Sequence, residues 1–171
     1  WSRIDRSVVP GLEGGLDLSD GGYVRILNGL TLTTGGVAGG TILIDNSGVL
    51  AFEGTQTFGP GTIEFVGNNG YVGPVGDTTL TLGSGTLVHG KTGNLQSLFD
   101  NRGTPTLINQ GTISADVAGG TLTISTKAFT NTGTVEMKKN YGLSADEVAD
   151  GYVLTCQAIP TSGDVTLNYD A

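Results

Sequence analysis

Residues 85–92, GTLVHGKT, match the phosphate-loop pattern letter for letter. A working phosphate loop cradles the anion in backbone N–H groups and runs straight into a helix. Here the four variable residues, 86–89, are strong strand formers. The acid that would serve a magnesium ion, Asp45, lies upstream of the loop instead of downstream, and no series of helical segments is at hand to build a parallel α/β sheet. The sequence therefore predicts a strand through 86–89, with Lys91 facing solvent and dispensable. His89 is the only histidine, which excludes a histidine cage for a metal. Ser84 and Ser97 are the hydroxyls considered for a triad with it, but neither sits in a nucleophile-elbow pattern, and His89 is expected at the edge of a loop.

Four acids recur at fixed offsets. Asp45, Glu64, Asp116 and Glu136 each follow a Gly-Thr threonine by two or four residues. Paired carboxylates on one face are what acid/base cleavage of a glycosidic bond requires. These four are dispersed and lack companion lysines or arginines, so the preferred reading is a solvated face. No dense aspartate loop points to calcium. Cys156 is the single cysteine, unable to form an internal disulfide or a multi-cysteine zinc site, and its strand-like surroundings make it a small apolar residue. No cofactor and no metal is expected, and the chain is not read as an enzyme.

Thr-x-Thr pairs are a further candidate site: Thr31 and Thr33, Thr55 and Thr57, Thr79 and Thr81, Thr104 and Thr106, Thr130 and Thr132, at intervals of 24, 24, 25 and 26 residues. An outward ladder of threonines is either structural or an ice-binding surface.

Positioning such residues calls for a particular kind of element. Of 171 residues, 30 are glycine and 24 threonine, whereas 24 are charged and 11 aromatic. That is a composition of strands and turns. Apolar residues alternate with polar ones, as in Ile42 and Ile44, Ile63 and Phe65, Leu122 and Ile124, Val135 and Met137. Gly-Thr followed by an aliphatic residue recurs at Thr41, Thr62, Thr86, Thr112, Thr121 and Thr134, and with Thr121 left aside the intervals are 21, 24, 26 and 22. Asn-x-Gly at Asn46, Asn68, Asn101, Asn109 and Asn131 repeats the 22-residue spacing twice. A period in the twenties, without a helix in each unit, defines a β-solenoid. The expected fold is all-β, a single-stack parallel β-helix of about seven rungs with short terminal capping elements.

Three segments follow from the markers. Residues 1–23 form an N-terminal cap or assembly segment, 24–140 the solenoid repeats, and 141–171 a C-terminal helix plus strands. Residues 90–103 read as an inserted loop or short helical turn. Ser144 to Asp150 opens with a capping box. The strands after it, with Trp1 at the other end, carry the residues expected at an assembly contact: Trp1, Val165, Leu167 and Tyr169. A formal charge of −8 opposes nucleic-acid binding, and no apolar run approaches the ~20 residues of a membrane-spanning helix.

Residues 107–137, LINQGTISADVAGGTLTISTKAFTNTGTVEM, and the stretch FEGTQTFGPGTIEFVGNNG resemble the repeat units of bacterial surface and autotransporter-type, filamentous-haemagglutinin-like β-helix proteins. That resemblance covers residues 24–140. It implies a right-handed parallel β-helix, export to the cell surface or extracellular matrix, and a role in adhesion, matrix or display. The resulting expectation is a secreted structural module that self-associates head to tail into a homopolymer, touching polysaccharide or the cell surface. A carbohydrate-binding or carbohydrate-cleaving β-helix, adhesin- or tailspike-like, is the alternative, and ice binding the third.

Overall fold

The computed structural model describes residues 2–5, 12–99 and 103–137. The expectations for Trp1, Cys156, Val165, Leu167, Tyr169 and the helix near Ser144 lie outside them.

Alternation with period two gives each short run one buried and one outward face, and the glycines between runs turn the chain. The strands in chain order are β1 (Ser2–Asp5), β2 (Leu12–Glu13), β3 (Leu16–Leu18), β4 (Tyr23–Leu27), β5 (Leu32–Thr34), β6 (Val37–Ala38) and β7 (Thr41–Ile44). They continue as β8 (Gly48–Glu53), β9 (Gln56–Phe58), β10 (Gly61–Phe65), β11 (Gly70–Val75), β12 (Thr79–Leu82) and β13 (Thr86–Gly90). The last are β14 (Thr92–Gln96), β15 (Thr106–Asn109), β16 (Thr112–Ala115), β17 (Thr121–Ser125), β18 (Ala128–Asn131) and β19 (Thr134–Met137).

Every third strand or so returns to the same face. The first face runs β1-β4-β8-β11-β14-β17 and the third β3-β7-β10-β13-β16-β19. The second is split into β9-β12-β15-β18 and the smaller sheet β2-β5-β6. All neighbours pair in parallel except β5 with β6, a hairpin that projects from the coil. This is the expected all-β solenoid. Among the described residues, two faces six strands deep make about five turns, where about seven rungs are expected of the full 171 residues. From β1 to β17 the first-face strands begin at residues 2, 23, 48, 70, 92 and 121, so the turn length averages about 24 residues while single turns vary, β14 and β17 starting 29 apart.

Two further expectations are corrected. Strand pairing already includes β1, β2 and β3, upstream of residue 24. Residues 92–96, read as part of an inserted loop, form β14 and pair with both β11 and β17. Gly93 and Leu95 face inward there, and a short loop excursion starts only at Ser97.

Aliphatic ladders fill the interior. On the third face Leu16, Ile42, Ile63, Val88, Ile113 and Val135 lie one above another. Those from Ile42 to Val135 are all buried, and each fully buried aliphatic contributes roughly 1.5–3 kcal/mol. Phe65 occupies more depth than its neighbours, so glycine sits where its ring reaches across: a Cβ on Gly93 would collide with the ring. Ile63 and Phe65 are fully buried as expected, while Leu122 and Ile124, on the last described turn, are only partly so.

Candidate functional site

Parallel stacking fixes which outward side chains meet. On β4, Tyr23 and Arg25 are two residues apart and therefore share the outer surface of the first face. Arg25 pairs through Nη2 with the Glu53 carboxylate on β8, and the two side chains retain 29% and 19% exposure. Arg25 Nε is buried without a hydrogen-bond partner. Desolvation pushes the Tyr23 hydroxyl above its usual value, with Arg25 opposing and Glu53 adding to the shift.

Against Tyr23 stands Phe99, from the excursion that follows β14. The ring centroids are 5.2 Å apart at an interplanar angle of 77°. Leu98 anchors that excursion by donating its N–H to the Pro74 carbonyl at 2.9 Å and bridging Val75. Phe99 has φ of 60° and is 59% exposed. Left-handed backbone is costly for a bulky side chain. Elsewhere among the described residues, non-glycine positions with positive φ are only Asn28, Asn46 and Ser47, two of the three being asparagine, which tolerates it well. Sequence reasoning missed Tyr23, Arg25 and Phe99. The available signal was the broken period around residues 90–103, with an aromatic in the break.

On the third face, Glu64, His89, Ser114 and Glu136 stack in one column. His89 Nδ1 lies 3.1 Å from Asp116 Oδ2, and the other Asp116 oxygen accepts the Gly90 N–H at 3.1 Å. His89 is thus a strand residue held by an acid, not a loop-edge residue. The serine beside it is Ser114, instead of Ser84 or Ser97. A nucleophile must bond the imidazole and meet substrate; Ser114 is fully buried and its hydroxyl has no hydrogen-bond partner. Lys91 is half-buried and donates to Asn68 Oδ1 at 3.0 Å, and the phosphate-loop match runs from β13 into β14 with no helix after it.

Several acids tie one turn to another. Asp45 accepts the N–H groups of Asn68 at 2.8 Å and Asn69 at 3.4 Å. The backbone hydrogen bonds from Asn46 and Asn68 hold its carboxyl below the usual value. Asp77 accepts the Thr104 N–H at 2.7 Å, and Glu13 accepts Thr33 Oγ1 and the Gly35 N–H, both at 2.6 Å. The Thr33 hydroxyl leads in holding Glu13 low. Among the described residues no group of three or more His, Cys, Asp or Glu is placed to hold a metal.

The threonine candidates fall in several places. Thr57 stacks on Thr81, and Thr79 on Thr106. Ile108 separates Thr81 from Thr130. Thr55 lies just before β9, where its hydroxyl accepts the Thr79 N–H at 3.2 Å. Thr31 and Thr33 belong to the region of the smaller sheet, Thr33 within β5. Thr104 and Thr132 lie outside the strands, and Thr132 Oγ1 donates to the Asn109 carbonyl at 3.3 Å.

No family model and no solved structure matches the chain. It is similar over 39 residues, at 54% identity, to one of the subunits of the 1,2-phenylacetyl-CoA epoxidase of Escherichia coli (strain K12). That stretch is 23% of this chain, and it spans 11% of the length of the matched protein. It carries neither the solenoid fold nor an activity across to this chain.

Proposed function

We propose that the protein is a structural module, a rigid solenoid that stacks head to tail into a secreted surface or matrix fibre. The observation that supports this is the state of the interior at the last described turn. Leu107 on β15 is 1% exposed, whereas Phe129, directly above it on β18, is 36% exposed. Ile124, above the 1%-exposed Leu95, is likewise only partly covered. Strands on the three main faces all run parallel, so a second copy added at an end of the coil continues the ladder in the same direction. Heterologous contacts that do not close produce filaments.

Sedimentation velocity across a wide concentration range tests the reading. The weight-average sedimentation coefficient should climb steadily with concentration and fall back for Phe129→Lys. A parent chain that sediments as a monomer throughout would rule the fibre out.

A further inference from the structure

We infer that Phe99, Tyr23 and Arg25 form a binding site for a neutral saccharide on the outer surface of the first face. The inference does not depend on fibre formation. Three observations converge on it. Phe99 holds a left-handed φ of 60° that glycine would adopt without penalty, and this chain places glycine in that region twelve times among its described residues. The ring recovers little burial in return, being 59% exposed. Strain of this sort, kept where a cheaper residue is so readily used, marks a functional position.

The second observation is the arrangement of the rings. Phe99 stands nearly perpendicular to Tyr23, at 77°, presenting an exposed aromatic surface held by an edge contact. The axial C–H groups of a pyranose pack against such a surface. Third, the neighbouring polar group is a paired Arg25–Glu53, which supplies donors and acceptors side by side with no net charge. Sugar hydroxyls both donate and accept, so they match a mixed fork of this kind. An acidic polysaccharide is disfavoured because the chain carries a net charge of −8.

The test uses the intact chain with cellohexaose, maltohexaose, laminarihexaose and xylohexaose as probes, followed by calorimetry and saturation-transfer NMR. At least one should bind at millimolar or lower concentration, with saturation passing from aromatic protons to the sugar. Phe99→Gly should weaken that binding roughly tenfold or more while leaving the melting temperature unchanged or raised, since the strain is relieved. Arg25→Gln should weaken it as well, and Thr130→Ala on the second face should not. The inference is overturned if none of the four probes binds, if binding survives Phe99→Gly, or if Phe99→Gly lowers the melting temperature. It also fails if that substitution disperses self-association, which would make Phe99 a contact between copies.

Discussion

Asn109 Nδ2 donates to Asn131 Oδ1 at 2.8 Å, joining two residues 22 positions apart that occupy the same place on successive turns. Asn109 is fully buried, and its amide also donates to the Thr134 carbonyl at 3.1 Å while its Oδ1 accepts the Gly111 N–H at 3.2 Å. The Asn-x-Gly marker is therefore a corner device: the side chain takes up backbone groups that the turn removes from the strand ladder.

Removing that amide leaves several buried groups unmet. Asn109→Ala should cost about 1–3 kcal/mol in urea denaturation, and more than Asn131→Ala, whose side chain is only partly buried. Equal effects at the two sites would show that burial of the network does not matter.

Charge placed in the aliphatic ladder should be far more damaging at its middle than at its end. Ile63 is fully buried and Ile124 only partly so. Ile63→Asp should lose more than about 3 kcal/mol, against about 1 kcal/mol for Ile124→Asp. Melting temperatures that rank the two in the opposite order would place the core elsewhere.

Gly93 is required by the Phe65 ring, which leaves no room for a Cβ at that position. Overpacking should make Gly93→Ala cost about 1–3 kcal/mol. The double variant Gly93→Ala with Phe65→Leu should recover part of that loss, and a cycle with zero coupling would refute the contact.

Acid should loosen the corners. Asp45 has its folded value held below the ordinary 3.8 by backbone N–H groups. Its contribution is present above that ordinary value and is lost as the pH falls through the lowered one. Thermal melts from about pH 7 down to about pH 3 should show a steeper loss for the parent than for Asp45→Ala. Parallel curves would mean that the carboxylate does not tie the turns.

Lys91 makes an exposed hydrogen bond to Asn68, so Lys91→Ala should change stability by less than about 1 kcal/mol. Micromolar nucleotide affinity abolished by that change would reinstate the phosphate loop.

The solenoid was legible because its markers recur at the length of a turn: Thr41 lies under Thr62, and Thr112 under Thr134. Thr86 shows the limit of such reading. It is paired with Gly61 and is buried, donating its hydroxyl to the Phe58 carbonyl at 2.9 Å, so the marker slips by one residue. A one-residue slip is invisible to a spacing count, because turn length varies from rung to rung. Spacing alone did not show which outward residues meet: Glu64 and Glu136 share a column with His89 and Ser114, whereas Asp45 and Asp116 lie just past their strands. His89 meets Asp116 and Phe99 meets Tyr23 across 27 and 76 residues, through offsets that depend on how long each intervening turn is.

Cryo-electron microscopy of concentrated protein tests the central claim most directly. The account predicts filaments in which the strand spacing of about 4.8 Å runs unbroken through each junction, the last turn of one copy stacking on the first turn of the next. Dispersed single particles at every concentration, or filaments joined through the side faces with the end turns left apart, would contradict it.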